Sequence, residues 1–242
     1  MHPDLGRLNV LTINETVYKE LLNAIVSAKL PPGAQITTTQ LAEQFGVSLM
    51  PVREALKKLQ AGGFVSVRKN RRIMINELSV ADLSELLEIR LKLEGMAATK
   101  AVKNCPDETI RELEQLMEGV KSAKSPEEFL EKNKLFHHTI YQKANMPLLQ
   151  EIINSLWRRL SPYLHIYVSE MPNYKTLKIH YHEGILQGMR ERDPKKVTKW
   201  LTLDLKKAAE LITDVLRAKE KSAGKTELGL TDFNSQRGEA EK

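Results

Sequence analysis

The sequence predicts a mainly α-helical protein in which an N-terminal winged helix-turn-helix domain precedes a C-terminal all-helical antiparallel bundle. Three observations support this fold class. Between residues 37 and 65, a short helix, a glycine-bearing turn and a helix with one cationic face follow one another. A hairpin-like run with four cations at its tip comes next. From residue 79 onward, helical periodicity continues without any strand pattern.

The chain begins with a segment, residues 1–11, that we expect to be a flexible arm. The first domain then spans residues 12–76. Its first helix is expected at about 14–28, where apolar residues recur on one face, as at Val17, Leu21 and Ile25. Pro31-Pro32-Gly33 forces a turn before the next element.

The helix-turn-helix is predicted from its punctuation. Gly46 stands where a left-handed helix stop would fall, and Ser48 is a good N-cap for the second helix. Pro51 lies in the first turn of that helix, where a missing N–H costs little. An apolar stripe then faces the core, while the opposite face carries Arg53, Lys57 and Lys58. Such a second helix can enter the DNA major groove.

The run that follows predicts a two-stranded wing. Val65 and Val67 lead into the cationic tip, and Ile73 and Ile75 lead out of it. A hairpin with these cations beside the recognition helix would lie against phosphates or the minor groove. The alternative is a solvated turn on an ordinary hairpin.

Residues 17–76 resemble the winged-helix domain of GntR-family bacterial transcription regulators. The resemblance rests on an ordered string of motifs: Leu30-Pro31-Pro32-Gly33, Leu41-Ala42, Gly46-Val47-Ser48, Pro51-Val52-Arg53-Glu54-Ala55-Leu56 and Leu59. It implies double-stranded DNA as the partner. The DNA-binding residues that it and the cationic face predict are Thr39, Ser48, Leu49, Pro51, Arg53, Lys57, Lys58, Arg68, Lys69, Arg71 and Arg72.

The sequence departs from this family at three positions. Leu49 stands where the family usually has Arg, Thr39 stands where a charged residue is common, and Arg71-Arg72 replace the usual glycine of the wing tip. Each lost Arg can remove a guanine contact worth ~1–3 kcal/mol of discrimination. A regulator with degraded specific DNA readout is therefore an alternative.

Composition favours a cytoplasmic DNA-binding protein. The formal net charge is +6, and residues 1–78 hold 10 basic against 6 acidic residues, leaving 27 against 25 for the rest. A single cysteine, Cys105, excludes an internal disulfide and suits a reducing compartment. No apolar run reaches transmembrane length, so no membrane is expected as a partner.

After a linker at residues 77–78, a helical domain is expected over 79–221, followed by a disordered tail over 222–242. Six helices are predicted at about 79–103, 107–123, 126–144, 147–170, 174–191 and 194–221, with N-caps at Ser79, Ser125 and Asp193. Pro162 predicts a kink or break in the fourth. Trp157 and Trp200 are candidates for dimer contacts or, more readily, for core.

The bundle also carries polar side chains that suit a metal. Asn133 and His137 lie four apart on one helix, and His182 and Asp204 lie on two others. Two imidazoles, a carboxylate and an amide oxygen from three helices can hold a divalent cation and leave positions open for a ligand. Periodicity alone does not select these four, because His138, His165 and His180 are equally available.

The selection comes from a second resemblance, over about residues 79–216, to the FCD effector domain of the FadR branch of the same family. The matching residues are Arg90 with Glu94, Phe136-His137, Asn145, Leu148, His182 with Ile185-Leu186, Asp193 and Val197. In that family an Asp, a His four residues later and two further His bind a metal that anchors a small carboxylate effector. The four positions fall on Asn133, His137, His182 and Asp204, so two ligand types are changed.

The resemblance thus implies a metal site at Asn133, His137, His182 and Asp204, and an effector site that adds Arg90. Oxygen-rich ligation admits manganese, magnesium or nickel as well as zinc. The alternatives are a polar pocket that binds an organic acid directly or binds nothing. Arg90 can grip a carboxylate without metal, or it can simply form a surface pair with Glu94.

Catalysis is not expected. Leu186 occupies the position where a zincin motif beginning at His182 requires its second His, and no nucleophile pattern or phosphate loop is present. A helical metal-dependent enzyme fused to a DNA-binding module is kept as the alternative. We therefore predict a homodimeric regulator of repressor type that reads a palindrome and responds to a small organic acid. The sequence specifies neither the effector, the operator, the target genes nor the direction of the response.

Overall fold

The computed structural model describes residues 12–68, 72–170 and 173–235, with the backbone alone at 174, 177, 220 and 222–235. The chain divides into two compact units, Met1–Glu77 and Leu78–Lys242. The expected arm over 1–11 and the wing-tip residues Lys69 and Arg71 lie outside the described residues.

The first unit contains three helices and a small sheet. In chain order these are α1 (Ile13–Val26), β1 (Gln35–Thr37), α2 (Thr38–Phe45), α3 (Leu49–Ala61), β2 (Val65–Val67) and β3 (Arg72–Ile75). Helix α1 starts with a capping box between Thr12 and Glu15. It ends before the expected Ala28, which has a φ of 56° and so cannot continue a right-handed helix.

The helix-turn-helix and the wing form as predicted. Gly46 closes α2 in a left-handed conformation, with a φ of 64°. The apolar face of α3 packs on α1, and Val52, Ala55 and Leu59 are fully buried. The sheet has the order β1-β3-β2, with both pairs antiparallel. Sequence reasoning missed β1, because three residues are too few for an alternating pattern.

The second unit is a bundle of six helices within the described residues. They are α4 (Val80–Asn104), α5 (Asp107–Ser122), α6 (Pro126–Gln142), α7 (Pro147–Glu170), α8 (Tyr174–Arg190) and α9 (Pro194–Ser235). The predicted caps are present. The hydroxyls of Ser79 and Ser125 accept from the N–H groups of Asp82 and Glu128, and Asp193 accepts from two N–H groups of α9.

Two expectations about this unit need correction. The break that was one of the two expectations at Pro162 does not occur, because α7 is continuous through this buried proline. The kink stays a prediction, since a proline inside a helix removes one N–H donor. Helix α9 does not end near residue 221 but continues to Ser235. Residues 222–235 are therefore helical, where a disordered tail was expected. This stretch contains no proline, and its two glycines weaken a helix without ending it. Residues 236–242 lie outside the described residues.

The interior of the bundle contains apolar side chains together with the buried polar residues Asn133, His137, His182 and Asp204. Phe129, Phe136, Ile140 and Ile153 are almost completely buried, and Trp157 is 5% exposed. Trp200 is half-buried and packs against the same core. The core alternative is therefore the one observed for Trp157.

Candidate DNA-binding surface and effector site

The outer face of α3 carries three cations that differ in their surroundings. Lys57 forms an exposed ion pair of 2.8 Å with Glu54, and the Lys58 ammonium lies 5.9 Å from the centre of the Tyr18 ring. Arg53 is exposed, and no carboxylate of the described residues pairs with it. Arg53 is therefore the cation of α3 that is most available to an anionic partner.

The first turn of α3 differs from expectation in two ways. Ser48 has the extended backbone of an N-cap, but its side chain makes no capping hydrogen bond. Pro51 is buried, so its side chain is not exposed in the way that a predicted DNA contact would require. Leu49 and Met50 are exposed instead, and Thr39 is exposed on α2.

The described part of the wing keeps its cations on the surface. Arg68 and Arg72 are exposed and stand on the two sides of residues 69–71. The Arg68 backbone N–H donates to the Arg72 carbonyl at 2.9 Å. The Arg72 guanidinium also contacts the Gln35 side chain on β1, at 3.4 Å. Strand β1 thus supports one side of the wing.

In the second unit, three helices bring His137, His182 and Asp204 together. Each is at most 1% exposed, and one ligand atom from each lies within 4.8 Å of the others. His137 Nε2 lies 3.1 Å from His182 Nε2 and 3.3 Å from Asp204 Oδ2. Two ligands of a tetrahedral site with ~2.1 Å bonds would be ~3.4 Å apart. The spacing therefore suits a shared cation.

Asn133 lies one helical turn before His137 and is also buried. Its Oδ1 has no hydrogen-bond partner among the described residues. Buried polar atoms normally have a partner, so this oxygen is a candidate ligand for a cation or an effector donor. The structure thus brings three of the four predicted ligands together. It places the fourth, Asn133, on the same helix as His137.

Lys178 is a member of the site that sequence reasoning missed. It is 5% exposed, and its ammonium donates to Asp204 Oδ1 at 2.7 Å. Lys178 and His182 are four apart on α8, so the helical period could have revealed this residue. One oxygen of Asp204 therefore accepts from Lys178, and the other lies beside His137.

Arg90 and Glu94 form a buried pair, which corrects the surface-pair alternative. Arg90 Nε and Nη2 donate to the Glu94 carboxylate at 2.5 and 3.2 Å, and Arg90 is 5% exposed. The guanidinium also lies 5.1 Å from the centre of the Trp157 ring. Glu94 occupies the Nε–Nη2 edge of Arg90, so a bidentate grip on an effector carboxylate would have to use the Nη1–Nη2 edge.

Glu94 connects this pair to the histidines through Tyr141. The Tyr141 hydroxyl donates to Glu94 at 2.5 Å and lies 3.3 Å from His137 Nδ1. Burial raises the pKa of Tyr141 well above its usual value, so this hydroxyl keeps its proton. Its oxygen can then accept a hydrogen bond from His137 Nδ1–H, which leaves the lone pair of Nε2 directed at the cluster.

The protonation states of the other two groups also suit a cation. Burial lowers the pKa of His182 well below its usual value, so the imidazole is neutral at pH 7. Burial alone would raise the pKa of Asp204, but the charge of Lys178, the hydrogen bond with His137 and the charges of the two histidines together outweigh burial and hold that pKa well below the usual range. The cluster therefore offers a neutral imidazole and a carboxylate.

A separate cleft of about 670 Å³ lies between α5, α8 and the start of α9. Its lining includes Trp200 and several charged side chains, among them the exposed pair of Arg190 with Glu114. None of His137, His182 and Asp204 lines it. The cleft and the polar cluster are therefore distinct places in the bundle.

Family models match both units. Residues 13–75 match the bacterial regulatory proteins of the gntR family, and residues 85–207 match the FCD domain. The chain belongs to the GntR family. Its FCD domain places it in the FadR-like branch, as the sequence resemblance predicted.

Individual GntR regulators show the same relationship. The HTH-type transcriptional regulator McbR of Escherichia coli K12 is 34% identical over 197 residues, covering 79% of this chain and 88% of McbR. The HTH-type transcriptional repressor RspR of the same organism is 25% identical over 206 residues, covering 84% and 90%. Similarity over most of both chains makes this chain a GntR-family transcriptional regulator.

Solved structures agree with the observed fold. The E. coli McbR/YncC structure superimposes with a TM-score of 0.73 at 31% identity, covering 85% of this chain and 99% of that one. A putative GntR regulator from Rhodococcus sp. RHA1 reaches 0.69 at 19% identity, covering 82% and 96%, and supports the fold alone. Within the described residues of this GntR regulator, no helix is long and apolar enough to cross a membrane.

Proposed function

We propose that this GntR regulator is a homodimeric repressor that acts on double-stranded DNA in the cytoplasm. The N-terminal end of α3 and the wing would read each half of a palindromic operator, because operator symmetry follows the two-fold symmetry of a dimer. A small carboxylate bound at the polar cluster would change DNA affinity. A repressor is favoured because RspR, a relative over most of this chain, is named one.

The DNA-binding proposal rests chiefly on the surroundings of Arg53. Its guanidinium is exposed and unpaired by any carboxylate of the described residues, whereas Lys57 is paired with Glu54 and Lys58 lies over Tyr18. A free guanidinium in a recognition helix can donate two hydrogen bonds to guanine O6 and N7. We therefore assign the main base contact to Arg53.

Replacing Arg53 with alanine is expected to weaken operator binding by about 1–3 kcal/mol, or roughly 5- to 150-fold. It should also relax the preference at one base pair of each half-site. Fluorescence anisotropy at fixed salt, with a duplex selected from a random library, measures both effects. Arg158→Ala, at an exposed arginine of α7, is the matched control and should leave affinity unchanged.

Lys57→Ala provides a second comparison, because a phosphate contact would weaken binding to every sequence alike and lower the salt slope by about one. An unchanged affinity for Arg53→Ala would contradict the assignment of α3 to the major groove.

The effector proposal rests on the cluster of His137, His182 and Asp204. These residues would hold a divalent cation, with the unpartnered Oδ1 of Asn133 as a further donor. When bound, such a cation supplies a Lewis-acid anchor for a carboxylate oxygen. Mixed nitrogen and oxygen ligation admits zinc, nickel or manganese.

Charge balance connects the cation with an anionic effector. Arg90 with Glu94 and Lys178 with Asp204 form two buried ion pairs, so the site is neutral when its imidazoles are neutral. A divalent cation would add an uncompensated charge in a buried place, which is costly. A carboxylate ligand would offset part of that charge.

His182→Gln is expected to lower the affinity for zinc and nickel at least tenfold, because an imidazole ligand is lost while the volume is kept. Competition with a fluorescent chelator, using metal-stripped protein, measures the dissociation constants. His180→Gln is the matched control, since His180 lies on the same helix but is exposed and outside the cluster. Equal affinities for the two variants would contradict the metal site.

A metal-free site is a second candidate, which Lys178 specifically favours. Its ammonium already contacts Asp204 and can itself attract a carboxylate. Lys178→Met separates the two candidates. It should raise metal affinity about tenfold or more if a cation binds, because a buried like charge is removed. If the effector binds directly to the lysine, the same change should abolish the effector response without metal uptake.

Two further alternatives are less well supported. A metal-dependent enzyme fused to a DNA-binding module would not account for relatives that are transcriptional regulators over most of their length. A regulator with degraded DNA readout would bind all duplexes alike.

In either model of the effector site, regulation requires that the effector bind one arrangement of the DNA-binding domains better than another.

A further inference from the structure

The first turn of α3 exposes two apolar side chains where polar base-reading residues would be expected. Leu49 is 40% exposed and Met50 is 65% exposed. Neither belongs to the apolar core of the first unit, which includes their neighbours Val47 and Val52. These two side chains are adjacent, and they occupy the first two positions of the helix.

Their placement relative to Arg53 indicates what they contact. Leu49 and Arg53 are four residues apart, so they lie on the same side of α3. The N-terminal residues of a recognition helix are those that contact base edges in the major groove. Ser48, immediately before them, makes no capping hydrogen bond and so retains a free hydroxyl.

Only one feature of the major groove suits an apolar side chain. Guanine, adenine and cytosine present hydrogen-bonding groups there, whereas thymine adds a 5-methyl group. A thioether chain such as Met50 adapts its shape to an irregular apolar contact. Leucine and methionine in this turn therefore fit thymine methyl groups, and they offer nothing to hydrogen-bonding base edges.

We propose that Leu49 and Met50 read thymine 5-methyl groups next to the base pair contacted by Arg53. This inference rests on the proposed DNA-binding role of α3. On this inference, the DNA readout of the regulator is altered and not degraded, because an apolar contact at position 49 replaces the polar contact of the family's arginine. Each half-site of the operator then contains thymine, or 5-methylcytosine, beside a guanine.

The test uses the full chain and a duplex that the chain itself selects from a random library. Each thymine is replaced in turn by deoxyuridine, which removes only the 5-methyl group, and affinity is measured by anisotropy at fixed salt. One or two thymines in each half-site should show a three- to tenfold loss. At those positions, replacing thymine by deoxyuridine should lower the affinity of the Leu49→Ala or Met50→Ala variant less than twofold.

Two further variants complete the design. Leu148→Ala removes an equally apolar, 71% exposed side chain from α7 and should retain the full sensitivity to deoxyuridine. Leu49→Arg should shift the preferred base at its position from thymine to guanine, because arginine donates to O6 and N7.

The outcomes separate this inference from the proposed function. A selected duplex that depends on Arg53 but on no thymine methyl overturns the inference alone. A deoxyuridine effect that persists in both alanine variants also overturns it. Equal binding to every duplex overturns the inference together with the DNA readout assigned to α3.

Discussion

Glu94→Ala is expected to lower the free energy of unfolding of the second unit by about 3–5 kcal/mol. The change leaves the buried guanidinium of Arg90 without its carboxylate and the Tyr141 hydroxyl without its acceptor. Both tryptophans of the chain, Trp157 and Trp200, lie in this unit, so urea unfolding followed by their fluorescence reports on it specifically.

The matched control is Glu210→Ala, which removes an exposed ion pair of 2.9 Å with Lys207 on α9. This variant should differ from wild type by no more than about 0.5 kcal/mol. Adding Arg90→Met to Glu94→Ala should recover a large part of the lost stability, because no charge is then left buried and unpaired. A loss for Glu94→Ala as small as that of the control would contradict the buried network.

Asp204→Ala is the second change with a large expected effect, again about 3–5 kcal/mol. Asp204 is 1% exposed and is the carboxylate partner of Lys178 at 2.7 Å, so its removal leaves an ammonium without compensation in the core. The same fluorescence-detected urea unfolding measures the change. Asp214→Ala, at an exposed carboxylate of the same helix, is the control.

The double variant Asp204→Ala with Lys178→Met decides how this loss arises. If the cost comes from the unpaired ammonium, the double variant should be more stable than Asp204→Ala alone. If the double variant is the less stable of the two, groups other than Asp204 stabilise Lys178. The assignment of Asp204 Oδ1 as the main partner of this lysine would then be wrong.

Local signals in the sequence were sufficient for most of the fold. Helix starts carry caps such as Ser79, Ser125 and Asp193 that act within one turn, so they can be recognised without knowledge of the tertiary structure. The turn at Gly46 is equally local, because a left-handed residue there depends only on the backbone.

Long-range features could not be predicted in the same way. The burial of Arg90 and Glu94 depends on α6 and α7 covering that face of α4, which an i, i+4 spacing does not reveal. The pairing of β1 with β3 joins segments more than thirty residues apart. Helical period alone also left His138 and His165 as candidates, and only the family resemblance selected His137 and His182.

The polar cluster differs in residue type from the metal site that the family resemblance implies. The family has a carboxylate at the position of Asn133 and an imidazole at that of Asp204. This chain keeps one carboxylate in the cluster, moves it to α9 and places Lys178 beside it. The Tyr141 hydroxyl lies between Glu94 and His137 Nδ1, where it can hold the imidazole in one orientation.

The most direct test of the central claim is the anisotropy of a selected operator duplex at fixed salt, with acetate, lactate, succinate and citrate added in turn. Metal-stripped and zinc- or nickel-loaded wild-type protein are compared with a variant that combines His137→Gln and His182→Gln. We predict that at least one carboxylate changes the dissociation constant of the wild type and not of the variant. An identical response of the two proteins would contradict an effector site at the histidines.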